Sequence, residues 1–334
     1  MSLHVQPGRS CPLHYRYAPA SLNRPPEITA DTLYVIGGLY GNQPALRAIE
    51  ALATAEANTA TLMFNGDFNW FNTDSAGFVA INEGVLAHHA LRGNVETELA
   101  GDDDAAGCGC AYPDNVSDAE VGRSNAMLTQ LRATARAFPQ LRAQLAALPM
   151  NRVATVGGLR VAIVHGDCAS LAGWAYDESA LAHTTGIATA AAHYTAARAR
   201  IIASSHTCLP VAIKLDTVHG PCALFNNGAA GMPNFGGTAF GVITRIATTP
   251  AQSSAALYGT VIDGVHIDAL AVAYDHAPWQ REFAANWPAG SAGHLSYHQR
   301  ITSGPHYGIN RAMRAGIHIN TALLRELRAS GDLK

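Results

Sequence analysis

The feature that most restricts how this chain folds is an alternation between residues 32 and 94. The β-branched run Thr32–Ile36 ends at Gly37-Gly38, and positions 44–57 follow with helical spacing of Leu46, Ile49 and Leu52. Positions 61–64 form a second apolar run that closes on Gly66-Asp67. Positions 75–89 read as a helix, and 90–92 as a third strand ending at Gly93-Asn94. Strand, helix, strand, helix, strand demands a parallel sheet with crossover helices.

Beyond this unit the pattern changes. Positions 101–118 are rich in Asp, Gly and Cys and read as a surface loop, and 119–148 read as helix interrupted at Pro139. The runs 152–156 and 159–164 flank Gly157-Gly158, a two-residue hairpin signal. An Ala-rich helix over 179–198 and a strand over 200–203 come next. From Pro210 on, short runs at 211–215, 223–225, 241–246, 255–262 and 266–272 predict a second, largely antiparallel sheet. The expected organisation is an N-terminal arm (1–30), a main domain (31–275) carrying a loop and helical insertion (101–150), and a helical C-terminal extension (276–334).

Composition excludes several function classes. Hydrophobic residues make up 48% and charged residues 14% of the 334, so the chain has a core to bury and is not disordered. A net charge of −3 provides no basic stripe for a nucleic-acid duplex. No run reaches the length of a membrane helix and no secretory leader is visible. The six Cys lack secreted-scaffold spacing and are expected to be reduced thiols of a cytoplasmic protein, with Cys108 and Cys110 as plain loop residues.

Chemistry concentrates at the strand ends. These carry Gly38-Leu39-Tyr40-Gly41-Asn42, Gly66-Asp67, Gly93-Asn94-Val95-Glu96, His165-Gly166-Asp167 and Ser205-His206-Thr207-Cys208. Ligands collect outside the carboxyl ends of strands in open α/β sheets. Asp67, Asn94, His165 and His206 together form a mixed oxygen and imidazole donor set that suits Mn, Fe or Zn. Individually, a His or Asn at a strand end is more often a cap or a satisfied core group.

In this order the blocks 35–46, 65–67, 91–96, 164–166 and 204–210 resemble the calcineurin-like metallophosphoesterases, in particular the bacterial branch with Asp-x-His-Gly-Asn near its start. The resemblance implies a four-layer α-β-β-α sandwich of two mixed sheets. It also implies metal-dependent hydrolysis of a phosphomonoester or phosphodiester, with two metals bridged by Asp67. One family metal would take Asn94, His165 and His206, all present. The other would take residues at 38, 40 and 208, which here are Gly38, Tyr40 and Cys208. Val95 stands where the family often has a histidine acid.

The expectation is therefore a phosphoesterase with one divalent ion per chain, held by Asp67, Asn94, His165 and His206. Cys208 is a further candidate ligand, and Tyr40 and Asn42 are candidate contacts for a small phosphorylated substrate. The alternative is a non-catalytic relative that binds a phosphorylated ligand or a partner. A dinucleotide loop at Gly38–Gly41 lacks the full glycine pattern and a ribose-binding acid.

Overall fold

Eleven short strands in the order the sequence suggests, and two more, build the molecule. The computed structural model describes residues 6–251 and 256–320. The first five residues of the expected arm, position 255 of an expected strand and 321–334 of the expected extension lie outside the described residues. The chain runs through β1 (Ile28–Ala30), β2 (Thr32–Ile36), α1 (Gln43–Thr54), β3 (Thr61–Asn65), α2 (Ser75–Leu86), β4 (His89–Leu91) and α3 (Asn94–Ala100). Helices α4 (Asp118–Ala135) and α5 (Pro139–Ala147) precede β5 (Asn151–Val156) and β6 (Leu159–Val164). Then come α6 (Thr184–Ala197), β7 (Ile201–Ser204), β8 (Val211–Thr217), β9 (Gly220–Asn226), β10 (Gly241–Ala247), β11 (Ala256–Ile262) and β12 (Val265–Val272). Helices α7 (His276–Asn286), α8 (Ala292–Ser303) and α9 (Ile309–Ala312) and strand β13 (His318–Ile319) close the described chain.

Two mixed sheets result. One has the order β13-β11-β12-β10-β2-β3-β4, the other β1-β5-β6-β7-β9-β8. In the first, β2, β3 and β4 are parallel, as the alternation requires. In the second, β6, β7 and β9 are parallel, and Val156 pairs with Leu159 across the tight Gly157-Gly158 turn. The expected separate antiparallel sheet does not form. Its runs divide instead: β8 and β9 extend the strands of the hairpin sheet, while β10, β11 and β12 add antiparallel to β2. Local alternation specifies which face of a strand is buried, not which edge it joins.

The sheets face each other through Leu33, Val35 and Met63 on one side and Val161, Ile163, Ile201 and Ala203 on the other. The opposite face of β2 and β3 (Tyr34, Ile36, Phe64) packs on Ile49 of α1 and Phe78 and Ile81 of α2. Ala162, Val164 and Ile202 pack on Ala190, Tyr194 and Ala197 of α6. This is a four-layer α-β-β-α sandwich, and burial on both faces explains the unbroken apolar runs. The break at Pro139 is real: Phe138 leaves the helical region and Pro139 starts α5, where its missing N–H costs no bond.

Both ends of the described residues are built into this frame. β1 pairs in parallel with β5 at the sheet edge, and Tyr15 reaches across to donate to Glu98 Oε1 at 2.5 Å. The extension beyond 276 brings Trp279, Phe283, Trp287 and Ile301 into the core that covers α1 and α2, and β13 pairs with β11. No helix among the described residues is long and apolar enough to cross a membrane.

Candidate metal centre

The carboxyl ends of β3 and β4 in one sheet meet those of β6 and β7 in the other, and the turns that follow them carry Asp67, Asn94, His165 and His206. All four are buried. Asp67 Oδ2, Asn94 Oδ1 and His206 Nδ1 each lie 3.2 Å from His165 Nε2. Donor atoms of Asp67, His165 and His206 fall within 4.8 Å of one another.

Hydrogen bonds on the outer side of each group fix what it turns inward. His165 Nδ1 faces the Asn65 carbonyl at 2.8 Å and His206 Nε2 faces the Cys110 carbonyl at 3.0 Å. A carbonyl only accepts, so both nitrogens are N–H donors, and a neutral imidazole then has a bare lone pair on its other nitrogen. Asn94 Nδ2 donates to the Cys108 carbonyl at 2.9 Å, which leaves Oδ1 inward. Four acceptors thus converge with no donor between them. Such an arrangement repels itself unless a cation or a proton stands at its centre.

The donor set fits a divalent ion. Ligand atoms at about 2.0–2.2 Å from a tetrahedral ion sit roughly 3.3–3.6 Å apart, close to the 3.2 Å separations here. Without an ion, a proton takes that place. Burial opposes charge on His165, but the Asp67 carboxylate outweighs it and raises the imidazole's pKa. Burial and then the charge on His165 lower His206 to about 4. Burial likewise opposes ionisation of Asp67, yet His165 holds its pKa below the usual carboxylate value.

Asp67 is positioned by Glu96, a residue present in the third sequence block but given no role from sequence. Its fully buried carboxylate accepts from the backbone N–H groups of Asp67 (2.7 Å), Phe68 (3.0 Å), Asn69 (3.2 Å) and Gly93 (3.0 Å). Burial and the nearby Asp67 push its pKa up to about 7. The turn it holds is strained: Asp67 has φ 53°. Val95 N–H donates to Asp67 Oδ1 at 3.1 Å. Gly93 is required beside it, because a Cβ there would lie 2.2 Å from that same oxygen.

The other half of the expected site is built differently. Tyr40 is buried at φ 54°, and its hydroxyl lies 3.0 Å from Cys208 Sγ. A Cβ on Gly38 would meet the Tyr40 ring at 2.8 Å, so the ring occupies the space of the missing side chain. Cys208, at φ 63°, directs its thiol to the His206 carbonyl at 3.3 Å. Burial raises the thiol's pKa, against the Arg300 charge and the Tyr40 hydrogen bond. Its sulfur is not among the donor atoms gathered around Asp67, His165 and His206.

Asn42 does not face the cavity. Its Oδ1 accepts from Ala45 N–H at 2.9 Å to cap α1, and its Nδ2 donates to the Gly231 carbonyl at 2.8 Å. Each end of the amide has a partner, so Asn42 caps α1 and holds the first loop against a later one. The cysteines also depart from expectation. Cys108 and Cys110 are brought together across the left-handed Gly109, with Cα atoms 5.4 Å apart, instead of standing apart as plain loop residues. Cys11, Cys168, Cys208 and Cys222 are free thiols.

A cavity of about 30 Å³ opens beside Asp67, Asn94 and His206. Its walls are aromatic: Tyr40 and Trp70 are buried, and Tyr112, Trp174 and Tyr297 are half-buried at its rim. Apart from Tyr40, sequence reasoning missed these rings, because they come from an insertion, from loops and from α8, with no spacing to link them.

Comparison with solved structures agrees with the layers. A metallophosphoesterase from Sphaerobacter thermophilus superposes with a TM-score of 0.53 at 19% identity, covering 83% of this chain and all (100%) of its own. The chain has the metallophosphoesterase fold. A hypothetical protein from Pyrococcus horikoshii OT3 matches with a TM-score of 0.54 at 14% identity, over 84% of this chain and 100% of its own. No protein-family model and no curated protein sequence matches the chain.

Proposed function

We propose that the protein is a metal-dependent phosphoesterase with a single-ion centre formed by Asp67, Asn94, His165 and His206. The observation that carries this reading is the convergence of four acceptor atoms, each locked from behind, with no donor to satisfy them. Two imidazoles, a carboxylate and an amide oxygen suit Mn, Fe or Zn. A divalent ion held there supplies Lewis-acid polarisation of a phosphoryl oxygen and acidifies water.

The chain's own residues do the rest. Glu96 keeps the Asp67 turn rigid, and the Asn65 and Cys110 carbonyls keep both imidazoles in the ligating tautomer. The aromatic walls limit water around the reacting group. Tyr40 closes the position where the family pattern puts a second ion, which supports one ion rather than two.

That same closure supports a second reading, a protein that binds a phosphorylated ligand without hydrolysing it. Purified protein supplied with Mn²⁺ and bis(4-nitrophenyl) phosphate separates the two. Release of nitrophenolate that disappears in His206→Ala supports the enzyme. Metal uptake without release supports the binder.

A further inference from the structure

The rim of the cavity has a chemistry of its own. Tyr112 and Trp174 stand with ring centroids 5.8 Å apart, and Trp174 meets His206 edge-on at 5.4 Å. On the other side Tyr297 from α8 meets Trp70 edge-on at 6.4 Å. Polar handles on two of these rings are already used: Trp174 Nε1 donates to the Cys110 carbonyl at 3.0 Å, and the Tyr112 hydroxyl pairs with Ser124 Oγ at 3.0 Å. What they offer a ligand is ring surface.

Charge is scarce at the same place. Among the described residues no Lys or Arg lines this cavity, and Asp67 is its one carboxylate. Arg300, on the same helix as Tyr297, turns its guanidinium to the Cys208 and Pro233 carbonyls at 2.6 and 3.0 Å. A phosphomonoester dianion entering here would meet only the ion's charge, with no arginine to take its remaining oxygens. A phosphodiester carries one negative charge and leaves less unmatched. The volume beside the ligands admits an ion and one or two waters, so the bulk of a substrate must rest on the rim rings.

We propose that the substrate class of this site is an aryl phosphodiester monoanion, its aromatic group held by Trp174, Tyr112 and Tyr297. This rests on the phosphoesterase reading and narrows it. In the reaction the oxygen of water bonds to phosphorus and the bond from phosphorus to the aryl oxygen breaks with its electron pair on that oxygen. The products are a phosphomonoester and a phenol, one of water's protons ending on each. Burial pushes the Tyr112 hydroxyl up to about 12 and raises that of Tyr297. A leaving oxygen that departs readily as an anion, as a phenolate does, therefore suits a rim with weak acids.

The test is equilibrium binding to the Mn²⁺-loaded protein, read by quenching of tryptophan emission, with diphenyl phosphate, phenyl phosphate and dimethyl phosphate as probes. Diphenyl phosphate should bind about tenfold tighter than either of the others, the scale of one aromatic stack. Trp174→Leu, and independently Tyr297→Leu, should remove most of that preference while metal content per chain stays unchanged. For Trp174→Leu the remaining Trp70 reports binding. Equal or tighter binding of phenyl phosphate, or a preference untouched by both variants, overturns the inference. Diphenyl phosphate preference without turnover of bis(4-nitrophenyl) phosphate removes the hydrolase reading and keeps the ligand class. Turnover without that preference does the reverse.

Discussion

The two halves of the strand-end cluster start from equivalent backbone positions and finish with opposite chemistry. On one side, Asp67, Asn94, His165 and His206 present bare acceptors to a common point. On the other, Gly38, Tyr40 and Cys208 present a ring, a hydroxyl and a protonated thiol that satisfy one another. Three of the six non-glycine residues with positive φ among the described residues are Tyr40, Asp67 and Cys208, so both halves retain the strained turns of a ligand site. The backbone that positions ligands is thus separable from the side chains that bind. Only the first half calls for a cation or a proton at its centre.

The largest expected difference comes from His165, the atom every other ligand faces. His165→Ala should reduce bound metal to roughly a tenth or less of the wild-type content, because it removes the central nitrogen of a four-donor shell. Tyr40→Phe, in the second half, should leave metal content unchanged. Elemental analysis of both purified variants checks the contrast, and equal losses would erase the distinction between the halves.

Next in size is Glu96. Glu96→Ala strands four buried backbone N–H groups and should cost about 3–5 kcal/mol in urea unfolding. Glu96→Gln retains an acceptor and should cost less. A change below ~1 kcal/mol for the alanine variant would mean that the Asp67 turn holds itself.

The sequence revealed the four acceptors because each follows an apolar strand with a Gly-polar signature, as in Gly66-Asp67 and Gly93-Asn94. It revealed the layers because β2, β3 and β4 alternate with helices of clear period. It did not reveal that β8–β9 and β10–β12 join different sheets, since both groups have the same alternation and edge choice is made by tertiary packing. Glu96 was hidden because a carboxylate that binds four backbone donors looks like any helix-start glutamate. Trp174 and Tyr297 were hidden by their distance along the chain. The capping role of Asn42 was not singled out because the same residue type caps a helix and contacts a phosphate.

A smaller effect is expected from rebuilding the second half. Gly38→Asp alone places a Cβ 2.8 Å from the Tyr40 ring and should destabilise by about 1–3 kcal/mol. Paired with Tyr40→His the clash is relieved and a carboxylate and an imidazole return. Metal content should then rise from about one ion per chain toward about two. If the single and double variants behave alike, Tyr40 is not what closes that position.

The smallest effect concerns Cys208. Its thiol is protonated and held by Tyr40 and the His206 carbonyl, outside the gathered donors. Cys208→Ser should change metal affinity by less than about threefold, because no ligand is lost. Alkylation at Cys208 should proceed equally with and without chelator, and protection by metal would bring Cys208 into the ligand shell.

The most direct measurement is anomalous diffraction at the manganese edge from crystals grown with Mn²⁺. One peak per chain bonded to Asp67 Oδ2, Asn94 Oδ1, His165 Nε2 and His206 Nδ1 is the predicted result. No peak at that point, or a peak beside Tyr40 and Cys208 instead, contradicts the single-ion centre.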